Sequence, residues 1–137
     1  MPRPPAWKPR LIHPSGATSK SLAKVSDLAE LLFWKIIPQA NDQGRLSGDI
    51  GWIKATICPR RKEITEENLP GLLDELGEEL IIIYSLSNET VIQLTTWWEH
   101  QSPQWAYPSN YPPPEGWTDH LRYRKGRKVI TENWPPS

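Results

Sequence analysis

Residues 65–97, TEENLPGLLDELGEELIIIYSLSNETVIQLTTW, pass from one hydrophobic period to another, and that change decides the fold. Leu69, Leu72, Leu73, Leu76 and Leu80 recur at helical spacing and form one apolar face. From Ile81 the side chains become β-branched; after the tight connection at Ser87, Asn88 and Glu89, the next run alternates Val91 with Gln93 and Ile92 with Leu94. A helix leading straight into a β-hairpin is expected. Pro70 suits only a first turn, which puts the helix start near Thr65 or Asn68.

Upstream, Ser26 precedes Leu28, Leu31, Leu32 and Ile36 on one face. This predicts a serine-capped helix from Asp27 to about Ala40, loosened at Pro38 because proline has no N–H. NDQGRLSGD, residues 41–49, is turn chemistry around a very short strand at Arg45–Ser47. Asp49 is placed to cap a second helix carrying Trp52, Ile53 and Ile57, which Pro59 stops. Helix, short strand, helix, helix and two-stranded ribbon is the order of an α+β winged helix-turn-helix, three helices plus a β-hairpin wing.

The flanks have another character. Residues 1–25 read as an irregular basic arm, residues 26–101 as the winged-helix domain, and residues 102–137 as a Pro- and aromatic-rich tail. Within the tail, Leu121, Tyr123, Val129 and Ile130 flank Lys125 and Gly126, the pattern of a second small hairpin. A chain of 137 residues suits one core with extensions. Sixteen Lys and Arg balance sixteen Asp and Glu, so only the placement of charge is informative. Residues 1–25 hold five bases and no acid, residues 63–104 nine acids and no Lys or Arg, and residues 122–128 five bases.

One cysteine, Cys58, excludes an intrachain disulfide, and there is no apolar leader or membrane-length apolar run. The expectation is a reducing cytoplasm and no membrane. His13, His100 and His120 are scattered, and no metal-ligand spacing, phosphate loop, nucleophile elbow or HExxH motif is present. No enzyme activity, metal or cofactor is expected.

LLFWKI at 31–36, NDQGRL at 41–46, GDIGWIKA at 48–55, the stretch 64–84 and VIQLTTWWEHQSP at 91–103 carry a family resemblance. Its most specific element is the W-x-x-H-Q ending at Trp97, His100 and Gln101. The segment from Leu28 to Gln101 resembles the N-terminal winged-helix domain of phage replication-initiation proteins, the replisome-organiser group related to DnaD. The resemblance implies a DNA-binding or replisome-assembly module in a bacterial host cell. Longer members add a second helical domain, which residues 102–137 do not match. Where the family has a glycine before the hairpin, this chain has Glu79, with Gly77 two positions earlier. That substitution predicts a rearranged helix end.

The acidic helix would normally enter the major groove, but carboxylates oppose phosphate binding, and only Asn68 on it is a base-reading type. Glu66, Glu67, Asp74, Glu75 and Glu78 are therefore candidates for a protein-facing surface, with a replication protein, a host partner or a second copy as partner. Contacts to double-stranded DNA fall to Lys54, Arg60, Arg61 and Lys62, supported by Arg122, Arg124, Lys125, Arg127 and Lys128. Trp97, Trp98, Trp105, Tyr107 and Tyr111 offer stacking faces, yet residues 101–111 have no Lys or Arg to hold a nucleic-acid backbone. They read as core or protein contacts. The expected function is DNA binding in replication initiation; the alternatives are a protein-interaction adaptor or inhibitor of a host nucleic-acid enzyme using the acidic helix, or a transcriptional regulator.

Overall fold

The computed structural model describes residues 8–134, excepting the side chains of Glu78, Asn133 and Trp134. Residues 20–23 are not irregular, as the arm reading has them: Ser19 accepts a hydrogen bond from the Leu22 N–H and starts a single helical turn, α1 (Lys20–Ala23), which buries Leu22 in the core. Ser26 caps α2 (Asp27–Ile36) in the same way through the Ala29 N–H. The chain then tightens into a 3-10 turn over Ile37–Gln39. Proline is the cause: without an N–H at Pro38, the regular helix ends before the Ala40 that the sequence pattern suggests.

β1 (Arg45–Ser47) follows, then α3 (Ile50–Thr56), whose cap is Asp49 accepting from the Trp52 N–H at 2.9 Å. The start of the acidic helix is set by a reciprocal pair. Asn68 N–H donates to Thr65 Oγ1 and Thr65 N–H to Asn68 Oδ1, so α4 (Leu69–Leu80) begins at Leu69 with Pro70 in its first turn. Gly77 breaks the helix with φ +63° and ψ 176°, a conformation that suits glycine, and the Ile81 N–H returns to its carbonyl. β2 (Ile81–Leu86) and β3 (Glu89–Leu94) then pair as a hairpin. Trp97 is not in the strand, as the alternation suggests, but opens a helical turn, α5 (Trp97–His100).

β1 joins the hairpin at its β3 side, giving an antiparallel sheet in the order β1-β3-β2 with Arg45 opposite Gln93 and Leu46 opposite Ile92. A second hairpin, β4 (Asp119–Lys125) with β5 (Lys128–Trp134), turns at Gly126, whose φ is +63°. The molecule is α+β.

Both faces of the three-stranded sheet are covered. On one, Leu46, Ile81, Ile92 and Leu94 meet Leu32, Ile36, Ile53 and the leucines of α4 in the main core. On the other, Arg45, Gln93 and Val91 are fully buried, although of the three only Val91 is apolar. Their cover is the C-terminal segment: Asp119 and the Tyr111 carbonyl bind Arg45, and Tyr84 Oη donates to the Pro112 carbonyl at 2.6 Å. Helices, sheet and C-terminal segment thus form successive layers. No helix among the described residues is long and apolar enough to cross a membrane.

Candidate nucleic-acid interface

The NDQGR turn organises everything that surrounds the basic tail. Asn41 Oδ1 accepts from the N–H groups of Gln43 at 2.9 Å and Arg45 at 3.1 Å, which folds the turn on itself. Gly44 closes it at φ +80°, with the Trp97 indole so near that an added Cβ would lie 2.7 Å from Trp97 Cγ. The Gln43 carboxamide then behaves like a piece of strand. Its Nε2 donates to the Tyr107 and His120 carbonyls at 3.1 and 2.9 Å, and its Oε1 accepts from the His120 N–H. Arg45 finishes the join: Nε donates to Gln93 Oε1 at 2.7 Å, Nη1 to Asp119 Oδ2 at 2.8 Å, and Nη2 to Asp119 Oδ1. The planar guanidinium fork matches the carboxylate in two parallel bonds.

The W-x-x-H-Q ending clamps the N-terminal arm. Trp97 Nε1 donates to the Asp42 carbonyl at 2.9 Å, and the Arg10 guanidinium lies over its ring at 5.1 Å. Lys8 and Arg10 both pair with the buried Asp42 carboxylate. Gln101 bonds both polar backbone atoms of Leu11, and His100 stacks on His13 with ring centroids 5.0 Å apart. Between arm, α2 and sheet lies a cleft of about 350 Å³ lined by Trp34, Leu80 and Trp97.

Alternation along β4 separates core from surface. Asp119 and Leu121 are buried, whereas His120, Arg122 and Arg124 are exposed. Ala106 exchanges backbone hydrogen bonds with Arg122 at 2.6 and 2.9 Å, which sets Trp105 beside this outward row. The guanidinium groups of Arg122 and Arg124 lie 5.4 and 5.2 Å from the Trp105 ring centroid. Lys125, Arg127 and Lys128 surround the turn and are exposed. None of the five cations pairs with a described carboxylate.

Arg60, Arg61 and Lys62 are exposed on the turn between α3 and α4 and pair with no carboxylate among the described residues. Lys54 differs. Its Nζ donates to the carbonyls of Cys58 and Arg61, each at 2.9 Å, so it braces that turn from within. Burial raises the Cys58 thiol above its ordinary pKa, against the opposing charges of Lys54 and Lys35. No described hydrogen bond, ion pair or ring contact joins this turn to the β4–β5 ribbon.

Two carboxylates of the acidic helix are turned to the protein itself. Glu75 accepts from the Ser26 N–H at 2.8 Å and Ser26 Oγ at 2.9 Å, and Glu79 accepts from Ser21 Oγ. They tie α4 to α1 and to the head of α2. Glu66, Glu67 and Asp74 are exposed and form no ion pair among the described residues, to which the side chain of Glu78 does not belong.

Gln43, Arg45, Gln93 and Asp119 carry no local sequence signal, because their partners are remote in the chain, and the same holds for the contact of Trp105 with Arg122 and Arg124. The one available signal was the Arg122-Tyr123-Arg124 alternation, which puts both guanidiniums on one strand face. Comparison of the chain with protein-family models, curated proteins and solved structures found no match.

Proposed function

We propose that this chain is a winged-helix DNA-binding protein of phage or prophage type that assists replication initiation, holding duplex DNA through cations outside α4. The order of α2, β1, α3, α4 and the β2–β3 hairpin, with β1 paired to β3, supports the winged-helix reading. One observation carries the functional claim: a single ribbon presents Arg122, Arg124, Lys125, Arg127 and Lys128 exposed and without an acid partner among the described residues. Cations left without carboxylates keep their full attraction for phosphate. The ribbon takes the part of a wing, since the β2–β3 tip at Ser87 and Asn88 has no positive charge. Arg60, Arg61 and Lys62 supply a second set of contacts.

Fluorescence anisotropy with duplex DNA at about 50 and about 200 mM salt tests this. Five phosphate contacts predict an affinity loss of roughly 10²- to 10³-fold between those salts. Replacing Arg122, Arg124 and Lys125 by alanine should flatten the dependence. No binding at low salt, or binding indifferent to salt, overturns the reading. The exposed acids Glu66, Glu67 and Asp74 favour a second reading, an adaptor or inhibitor that docks a basic protein; a stable protein complex without DNA retardation would support it.

A further inference from the structure

We infer that the outward face of the β4–β5 ribbon is a stacking site for unpaired bases of single-stranded DNA. The inference rests on the DNA-binding reading above and names a ligand form for the same surface. Residues 101–111 carry aromatic rings and no Lys or Arg, so along the sequence they cannot hold a phosphate backbone. The fold removes that deficiency. The Ala106–Arg122 bridge brings the strand with Arg122 and Arg124 alongside Trp105, placing two guanidiniums within 5.4 Å of a half-buried indole.

A groove of about 410 Å³ continues from there, lined among others by Trp98, His120, Arg122 and Thr131. Trp98 packs edge-on to His120 at 5.1 Å and forms one wall of this groove, with its indole nitrogen buried. Across the ribbon, Thr131 stands opposite Arg122 and Val129 opposite Arg124, so no acid faces either guanidinium along that row. Glu132 also lines the groove, opposite Leu121, and directs the phosphates toward the Arg122–Lys128 end. Duplex bases are covered by their neighbours in the stack and cannot use an aromatic plane. Unpaired bases can, on indole and guanidinium alike.

The test compares the full chain with an oligothymidylate of about 20 nucleotides and a duplex of similar length at low salt. Trp105→Ala should weaken oligothymidylate binding by roughly 5- to 150-fold and duplex binding by less than about twofold, with Trp105→Tyr retaining single-strand affinity. Because Trp105→Ala also removes packing from the ribbon, the wild-type chain is photocrosslinked to a 5-iodouracil oligonucleotide and the adducts are mapped. Adducts at Trp98 or Trp105 support the site, and adducts only elsewhere overturn it. Duplex binding without oligothymidylate binding overturns this inference and leaves the function proposed above intact. Equal losses on both ligands reduce Trp105 to a support for the arginines and also overturn it. Binding to neither ligand removes both proposals.

Discussion

Arg45 is completely buried and yet charged, a combination that costs stability unless every donor is matched. Gln93, Asp119 and the Tyr111 carbonyl take four of its five N–H donors, so that each guanidinium nitrogen has a partner. Removing the carboxylate would leave an uncompensated guanidinium, so Asp119→Ala should lower unfolding stability by about 3–5 kcal/mol in urea denaturation. A loss under about 1 kcal/mol would mean that water reaches the guanidinium. Tyr84 reports on the same layer. Burial chiefly pushes its phenol from 10.0 up to about 12, Arg45 opposing and Asp119 and Tyr111 adding to the rise. A folded-state value above the unfolded one gives stability that is complete below about pH 10 and lost as pH climbs toward 12. Thermal melts across that range should fall less steeply for Tyr84→Phe than for the parent; identical alkaline slopes would contradict the assignment. Neither role was legible in the sequence, where Arg45 lies in a short polar strand and its carboxylate partner is 74 positions away.

At the scale of elements, the leucine period of α4 and the β-branched run after it were readable because they are local. Leu69, Leu72, Leu73, Leu76 and Leu80 are all buried as their spacing requires. The acids on the same helix were less readable, since a carboxylate looks alike in sequence whether it meets water or a serine. Glu75 meets Ser26, 49 positions earlier, and completes the capping of α2. Glu75→Ala should therefore cost about 1 kcal/mol by denaturant midpoint, and Ser26→Ala plus Glu75→Ala less than the sum of the singles. Strict additivity would show that the two side chains act separately. β3 teaches the same lesson from the sheet. Its four terminal residues, Val91–Leu94, are buried on both faces, though the alternation of Val91 and Gln93 against Ile92 and Leu94 does not say what covers the second face.

For the whole molecule, the C-terminal segment is a structural layer and carries the basic ribbon as well. Deleting residues 102–137 would expose Val91, Gln93 and the Arg45 guanidinium together. The truncated chain should lose its cooperative melt or elute as aggregate in size-exclusion chromatography, whereas an unchanged Tm would show the segment to be a detachable appendage. By itself, the sequence determined α2, α3, α4, the strands and the exposed charge of residues 122–128, though not the single turns α1 and α5, because hydrophobic period, capping residues and turn glycines act over a few positions. Only the tertiary structure decided which charges bind the protein's own groups, at Arg45, Asp42, Glu75 and Lys54, and which meet no described carboxylate on the ribbon. It also decided that Trp105 receives the cations its own segment lacks. The physical reason is range: these pairings depend on which distant backbone the fold brings within hydrogen-bonding reach, and local pattern holds no record of that distance.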